Sequence, residues 1–240
     1  LLFLFNKLLM PLLSINQNNL IMRKHSKEYL ETLTPAKAYE LLVEGNNRFV
    51  NNLSKDHDHL EMINETREGQ FPFGVVLSCM DSRTSAELIF DQGLGDLFSI
   101  RVAGNIVNDS ILGSLEYAVK YVGSKVLVVL GHTACGAIKS AQADVKDGHI
   151  TGLLSAIKPA ISKAMLKSKD QHCFKDNVAY ANVENSMEEI LHKSEIIKDF
   201  FSRGEIGIVG AMYNVETGEV DFFKNLTTQP VQKKQLTEAL

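Results

Sequence analysis

Two short stretches carry residues whose types and spacing can do chemistry: SCMDSR, from Ser78 to Arg83, and GHTACG, from Gly131 to Gly136. In the first, Cys79, Asp81 and Arg83 alternate; in the second, His132 and Cys135 stand three apart. A cysteine after an apolar run is most often a small buried side chain, and Cys79 is also open to reading as a nucleophile or a redox thiol. A phosphatase loop needs five residues between cysteine and arginine, whereas three separate Cys79 from Arg83, and there is no C-x-x-C pair for disulfide exchange. Two thiols and an imidazole are a zinc ligand set, and three protein ligands with a fourth position open is the catalytic arrangement. Asp81 could fill that fourth position or accept a hydrogen bond from water there, with Arg83 holding it through a bidentate pair.

Such residues need elements that aim them at one point. FGVVLSC (73–79) is a short apolar, β-branched run that reads as a buried strand ending at Cys79, and KVLVVLGH (125–132) reads as another ending at His132. DLFSIRVAG (96–104) reads as a third strand, and EIGIVGAMYNVETGEVDFF (205–223) as two strands joined by a turn at Glu216–Gly218. Helices are expected between them: a short one at 84–91, SILGSLEYAVKYVG (110–123) stopping at Gly123, then about 136–146, 150–168 and 177–202. Upstream, Thr34 and Pro35 start a capped helix bearing Leu41, Leu42 and Phe49 on its apolar face, and 57–68 reads as a further helical arm. Alternating strands and helices predict an α/β fold, with a mostly parallel central sheet flanked by helices and an N-terminal helical arm. In open sheets of this kind, chemistry sits beyond the carboxyl ends of the strands, where Cys79 and His132 both lie.

Composition sets bounds on this reading. A 240-residue chain with 45% hydrophobic and 22% charged residues is ordinary for a soluble globular protein. A net charge of −4 gives no support for a nucleic-acid partner. Three cysteines cannot form a secreted disulfide framework, which points to a reducing compartment. The apolar LLFLFNKLLMPLL at the start is too short to span a membrane, for which about 20 residues are needed. It also lacks the basic lead and cleavage site of a signal peptide. Residues 1–21 read as an upstream extension or leader, with a truncated export signal as the alternative. The expected division is an N-terminal extension over 1–34 and one catalytic domain over 35–240.

CMDSR (79–83), RVAGN (101–105), EYAV (116–119) and GHTACG (131–136) occur in the order and approximate spacing of the β-class carbonic anhydrases, which this chain resembles over roughly 35–225. The resemblance implies zinc held by Cys79, His132 and Cys135, and reversible hydration of CO2 to bicarbonate and a proton by zinc-bound hydroxide. It implies a catalytic Asp81–Arg83 dyad that orients the hydroxide, with Asp81 as fourth zinc ligand in a closed state. Substrate contacts are implied at Gln70, Phe98, Ala103, Tyr117 and Gly136. A cytoplasmic homodimer or homotetramer acting on CO2 and bicarbonate, with no nucleic-acid or membrane partner, is the expected form. Ala103 and Ala137 depart from the usual valine and glycine but keep side chains small. A regulatory bicarbonate site found in some members needs a tryptophan where this chain has Val76, although Arg101 and Tyr117 are present. Rival readings are hydrolysis of CS2 or COS by the same centre, or a non-catalytic zinc module.

Two other groups invite a reading. Asp56–His59 (DHDH) reads as a solvated loop or helix start, with proton shuttling by one histidine as the alternative. His172–Cys173 lies in a polar helical stretch with no matching motif, and no metal site is expected there.

Overall fold

β1 (Gly74–Ser78), β3 (Val126–His132) and β4 (Gly207–Tyr213) are buried at every position, as strands covered on both faces must be. They belong to a computed structural model that describes residues 26–167 and 174–226. The five-stranded sheet has the order β2–β1–β3–β4–β5, with β2 (Leu97–Arg101) at one edge and β5 (Val220–Leu226) at the other. The first four strands are parallel, and β5 returns antiparallel to β4. This is the expected α/β arrangement with its late hairpin. Because successive strand residues face opposite ways, the sheet feeds two cores. Val75, Leu77, Leu127, Val129 and Ile208 face one, and Val76, Val126, Val128, Leu130 and Val209 the other.

The second face is covered by the N-terminal arm. Thr34 accepts a hydrogen bond from the Lys37 N–H and Pro35 opens α2 (Pro35–Val50), so the expected cap forms. Leu42 is fully buried, and α1 (Lys27–Thr32) adds Leu30 to the same core. α3 (His59–Thr66), capped by the Asp58 side chain, buries none of its residues. Residues 1–21 and the His172–Cys173 pair lie outside the described residues. Among the described residues, no helix is long and apolar enough to cross a membrane.

On the first face the structure corrects several expected boundaries. The helix expected over 110–123 divides into α5 (Asp109–Glu116) and a π-helical turn, Tyr117–Val122, ended by Gly123 at φ 93°. The wider turn buries both Ala118 and Val119 while Tyr117 and Tyr121 stack outside, 5.7 Å between ring centroids. The strand expected to reach 104 stops at Arg101 because Gly104 and Asn105 take φ of 69° and 42°, which no strand accommodates. The stretch 150–168 is two helices, α7 (Gly148–Ser155) and α8 (Lys158–Lys167). The stretch 177–202 is α9 (Phe174–Lys193) and α10 (Glu195–Ser202), separated by Ser194, whose side chain accepts from the Ile197 N–H and caps α10. Between β1 and β2 lies α4 (Ala86–Ile89), and after β3 comes α6 (Gly136–Gln142).

Candidate metal centre

β1 and β3 are neighbours in parallel register, Ser78 opposite Leu130, so both chains leave the sheet at the same end. Cys79 follows β1 directly and His132 is the last residue of β3. Ala134 then takes φ 54°, a left-handed conformation that costs an alanine about 1–2 kcal/mol. That turn sets Cys135 at the head of α6. The donor atoms of Cys79, His132 and Cys135 all lie within 4.8 Å of one another, and all three residues are buried. The two sulfurs are 4.0 Å apart; two sulfurs on a tetrahedral zinc at about 2.3 Å would stand roughly 3.8 Å apart.

The histidine is prepared for coordination. Its Nδ1 lies 2.9 Å from the Thr133 carbonyl oxygen, which can only accept, so Nδ1 carries the proton. Nε2 then presents a lone pair, and it is a buried nitrogen with no hydrogen-bond partner. A buried polar atom left unsatisfied is uncommon, and a metal would satisfy this one. The thiols titrate as a pair. Contact with Cys135 lowers the Cys79 pKa against the opposing effect of burial, helped by the Gly104 and Asp81 N–H groups. Cys135 is raised by the same contact, by burial and by the charge on Cys79. Two thiolates and a neutral imidazole together fit a divalent, thiophilic ion such as Zn2+.

Asp81 stands at the edge of this group. Arg83 donates to it from Nε (2.9 Å), from Nη2 (2.8 Å) and from its backbone N–H (3.0 Å). Chiefly through these side-chain bonds, Arg83 holds the Asp81 carboxyl well below the usual carboxylate range. The nearer Asp81 oxygen is 4.0 Å from His132 Nε2. The turn that carries Asp81 is pinned by two side chains given no such part by the sequence reading. The Thr84 hydroxyl lies 3.0 Å from the Cys79 carbonyl and 2.9 Å from that of Asp81. Arg101 donates to the same two carbonyls. The Thr84 bond spans three residues backwards, a local pattern that sequence could have signalled; the Arg101 bonds could not be anticipated locally. A second Asp–Arg pair, Asp91 with Arg48, joins the turn after α4 to α2 and is not part of this cluster.

The expected substrate residues are spread more widely. Phe98 on β2 and Tyr117 on the π-helical turn line one cleft of about 540 Å³ with Ile100, Ser110 and Gly113. Ala103 is half-buried beside the Gly104 turn. Gly136 is exposed at the start of α6, where an added Cβ would meet nothing within 4 Å. Gln70 is exposed in the connection between α3 and β1.

Comparison with known proteins accords with this geometry. A sequence model described as carbonic anhydrase matches residues 74–220. Carbonic anhydrase 2 of Mycobacterium tuberculosis is 35% identical over 190 residues, covering 77% of this chain and 90% of that protein. The Coccomyxa β-carbonic anhydrase, solved in complex with acetazolamide, superposes with a TM-score of 0.64 at 25% identity, covering 78% of this chain and 86% of that one. A Sordaria macrospora enzyme, described as a tetrameric β-carbonic anhydrase, shares the fold at a TM-score of 0.63 and 22% identity, covering 79% and 98%. With the family's fold, and with three convergent donors at its two central strand ends, the chain belongs to the β-class carbonic anhydrases.

Proposed function

We propose that this protein carries out zinc-dependent, reversible hydration of CO2 to bicarbonate and a proton. The observation that carries the reading is the convergence of two sulfurs and an unpartnered imidazole Nε2 within 4.8 Å at adjacent strand ends. Cys79, His132 and Cys135 would hold the metal, whose Lewis acidity lets water act as a nucleophile near neutral pH. Asp81, kept ionised by Arg83, has one lone pair to spare, on Oδ2, because Oδ1 already accepts from both Arg83 Nε and the Arg83 N–H. In this reading it takes a hydrogen bond from the attacking water and turns the water's lone pair toward CO2. Released from Arg83, the same carboxylate could swing to the metal as fourth ligand and close the site. Arg83 is thus the residue that keeps the site open.

The substrate assignment rests on chemistry of the same kind. CO2 is apolar, and the Phe98–Tyr117 cleft offers it an apolar wall, while Gln70, Ala103 and Gly136 are assigned to the same substrate by the family pattern. Tyr117, Leu88 and Met80 are large side chains left exposed, which favours a homodimer or homotetramer that covers them. A reducing, cytoplasmic setting would keep the two ligand thiols available.

The test is stopped-flow CO2 hydration on metal-quantified protein at about pH 7 and about pH 8.5. Two thiolates neutralise the charge of a divalent ion, so the expected result is fast, zinc-dependent hydration that rises toward alkaline pH. One zinc per chain with no hydration at either pH overturns the reading and moves weight to CS2 or COS hydrolysis or to a non-catalytic zinc module.

A further inference from the structure

The Cys79 sulfur receives a hydrogen bond that no ligand motif encodes. The Gly104 N–H points at it from 3.4 Å. That N–H is aimed by an unusual backbone, with Gly104 at φ 69° followed by Asn105 at φ 42°. Glycine adopts this region freely, but Asn105 carries a Cβ and occupies a less populated conformation, so the turn gains from outside support. Glycine suits this position because φ 69° strains any L side chain, and a Cβ there would also lie 2.7 Å from Ile157 Cδ1.

The support comes from a helix nearly eighty residues further along the chain. Asn182 donates from Nδ2 to the Gly104 carbonyl at 2.8 Å, and Ser186 donates from its hydroxyl to the Asn105 carbonyl at 3.0 Å. Both side chains are buried, and they stand one turn apart on α9. α9 is itself seated against the sheet through glycines. A Cβ on Gly131 of β3 would approach Val183 to 2.7 Å, and one on Gly210 of β4 would approach the Met187 sulfur to 2.7 Å. The helix is therefore registered against the strand that ends at His132, and from that position its two polar side chains grip the turn that serves Cys79.

We propose that Asn182 and Ser186 are positioning residues for the metal centre, holding the Gly104–Asn105 turn so that the Gly104 N–H draws charge from the Cys79 sulfur. The proposal rests on the reading of Cys79 as a metal ligand. An N–H bond to a coordinating thiolate makes it a weaker electron donor, which leaves the ion a stronger Lewis acid. Loss of the clamp lets the turn relax, frees the sulfur of its hydrogen bond and makes it more electron-rich.

The test uses Asn182→Ala, Ser186→Ala and Ser186→Thr, each purified with zinc and also exchanged to Co2+, whose sulfur-to-cobalt charge-transfer band reports directly on the thiolates. For Asn182→Ala and Ser186→Ala we expect the band to move to longer wavelength and CO2 hydration to fall on the order of tenfold, with one metal per chain retained. Ser186→Thr keeps the hydroxyl and is expected to restore the wild-type band. If Asn182→Ala does not fold, the contrast between Ser186→Ala and Ser186→Thr makes the same discrimination. Bands at the wild-type position in both alanine variants, with only a lowered melting temperature, overturn the proposal and leave a merely structural contact. A wild-type protein that shows no sulfur-to-cobalt band at all overturns the ligand assignment instead.

Discussion

Asp91→Asn isolates one buried charge from its surroundings. Asp91 lies just beyond α4 with its side chain 2% exposed, and it gathers three donors from the N-terminal arm. These are Arg48 Nε, the His57 ring at 3.2 Å and the Lys55 N–H at 3.1 Å. Asparagine is close to isosteric and tolerates the left-handed φ of 46° found at this position, so the change removes charge without adding backbone strain. Breaking a buried ion pair typically costs about 3–5 kcal/mol. Arg48 keeps 23% exposure and regains some water, so we expect roughly 2–3 kcal/mol, or a melting temperature lower by about 4–12 °C for a chain of this size.

The pH dependence gives the sharper check. Burial raises the Asp91 pKa, but hydrogen bonds from Arg48, His57 and the Lys55 N–H, with the Arg48 charge, outweigh it and leave the carboxyl below its ordinary value. A depressed carboxylate contributes stability that is fully present above the unfolded value of about 3.9 and is lost as pH falls through the folded value. The gap in melting temperature between wild type and variant is therefore expected in full at neutral pH and to close below about pH 4. Circular dichroism melts of both proteins across this range make the measurement, and loss of metal in acid is common to both and cancels in the difference. A gap under about 1 °C at neutral pH, or one that persists unchanged to about pH 3, would refute the reasoning. Hydration activity at 25 °C is expected to stay within about twofold of wild type, because the Asp91 side chain bonds to none of Cys79, His132 and Cys135.

Removing Arg83 should act on rate and leave the metal in place: Arg83→Ala is expected to lower kcat/KM at least tenfold or so at one zinc per chain, and full activity would end the gate model. Cys135→Ser should lose zinc almost completely by elemental analysis, since hydroxyl is a poor replacement for thiolate; stoichiometric zinc in that variant would contradict the ligand assignment. Tyr117→Ala opens the wall of the Phe98 cleft and is expected to change the steady-state constants for CO2 by a few-fold with no change in zinc content; unchanged kinetics would remove Tyr117 from the substrate pocket.

Much of this protein is legible in its sequence, for a local reason. The strands ending at Cys79 and His132 are continuous apolar runs, and a chain of 240 residues has few ways to bury them other than side by side under helices. The donors and their places at strand ends were legible in pattern and spacing, but that β1 lies beside β3, so that Cys79, His132 and Cys135 meet, is decided by the order of the sheet. The Asp81–Arg83 pair was equally local, two residues apart in one turn. What pattern could not show were the places where backbone leaves its regular course. The π-helical turn at Tyr117 adds a residue to a helical repeat that periodicity reads as continuous, and the left-handed Gly104–Asn105 pair ends a strand that its composition would continue. Tertiary structure alone decided the contacts of long sequence separation: Arg101 on the Cys79 turn, Asp91 beneath the arm, and Asn182 and Ser186 over Gly104. Ligand identity is written in side-chain chemistry along a short segment, whereas the aim of a backbone N–H depends on how distant helices seat against the sheet, and that is settled only when the whole core packs.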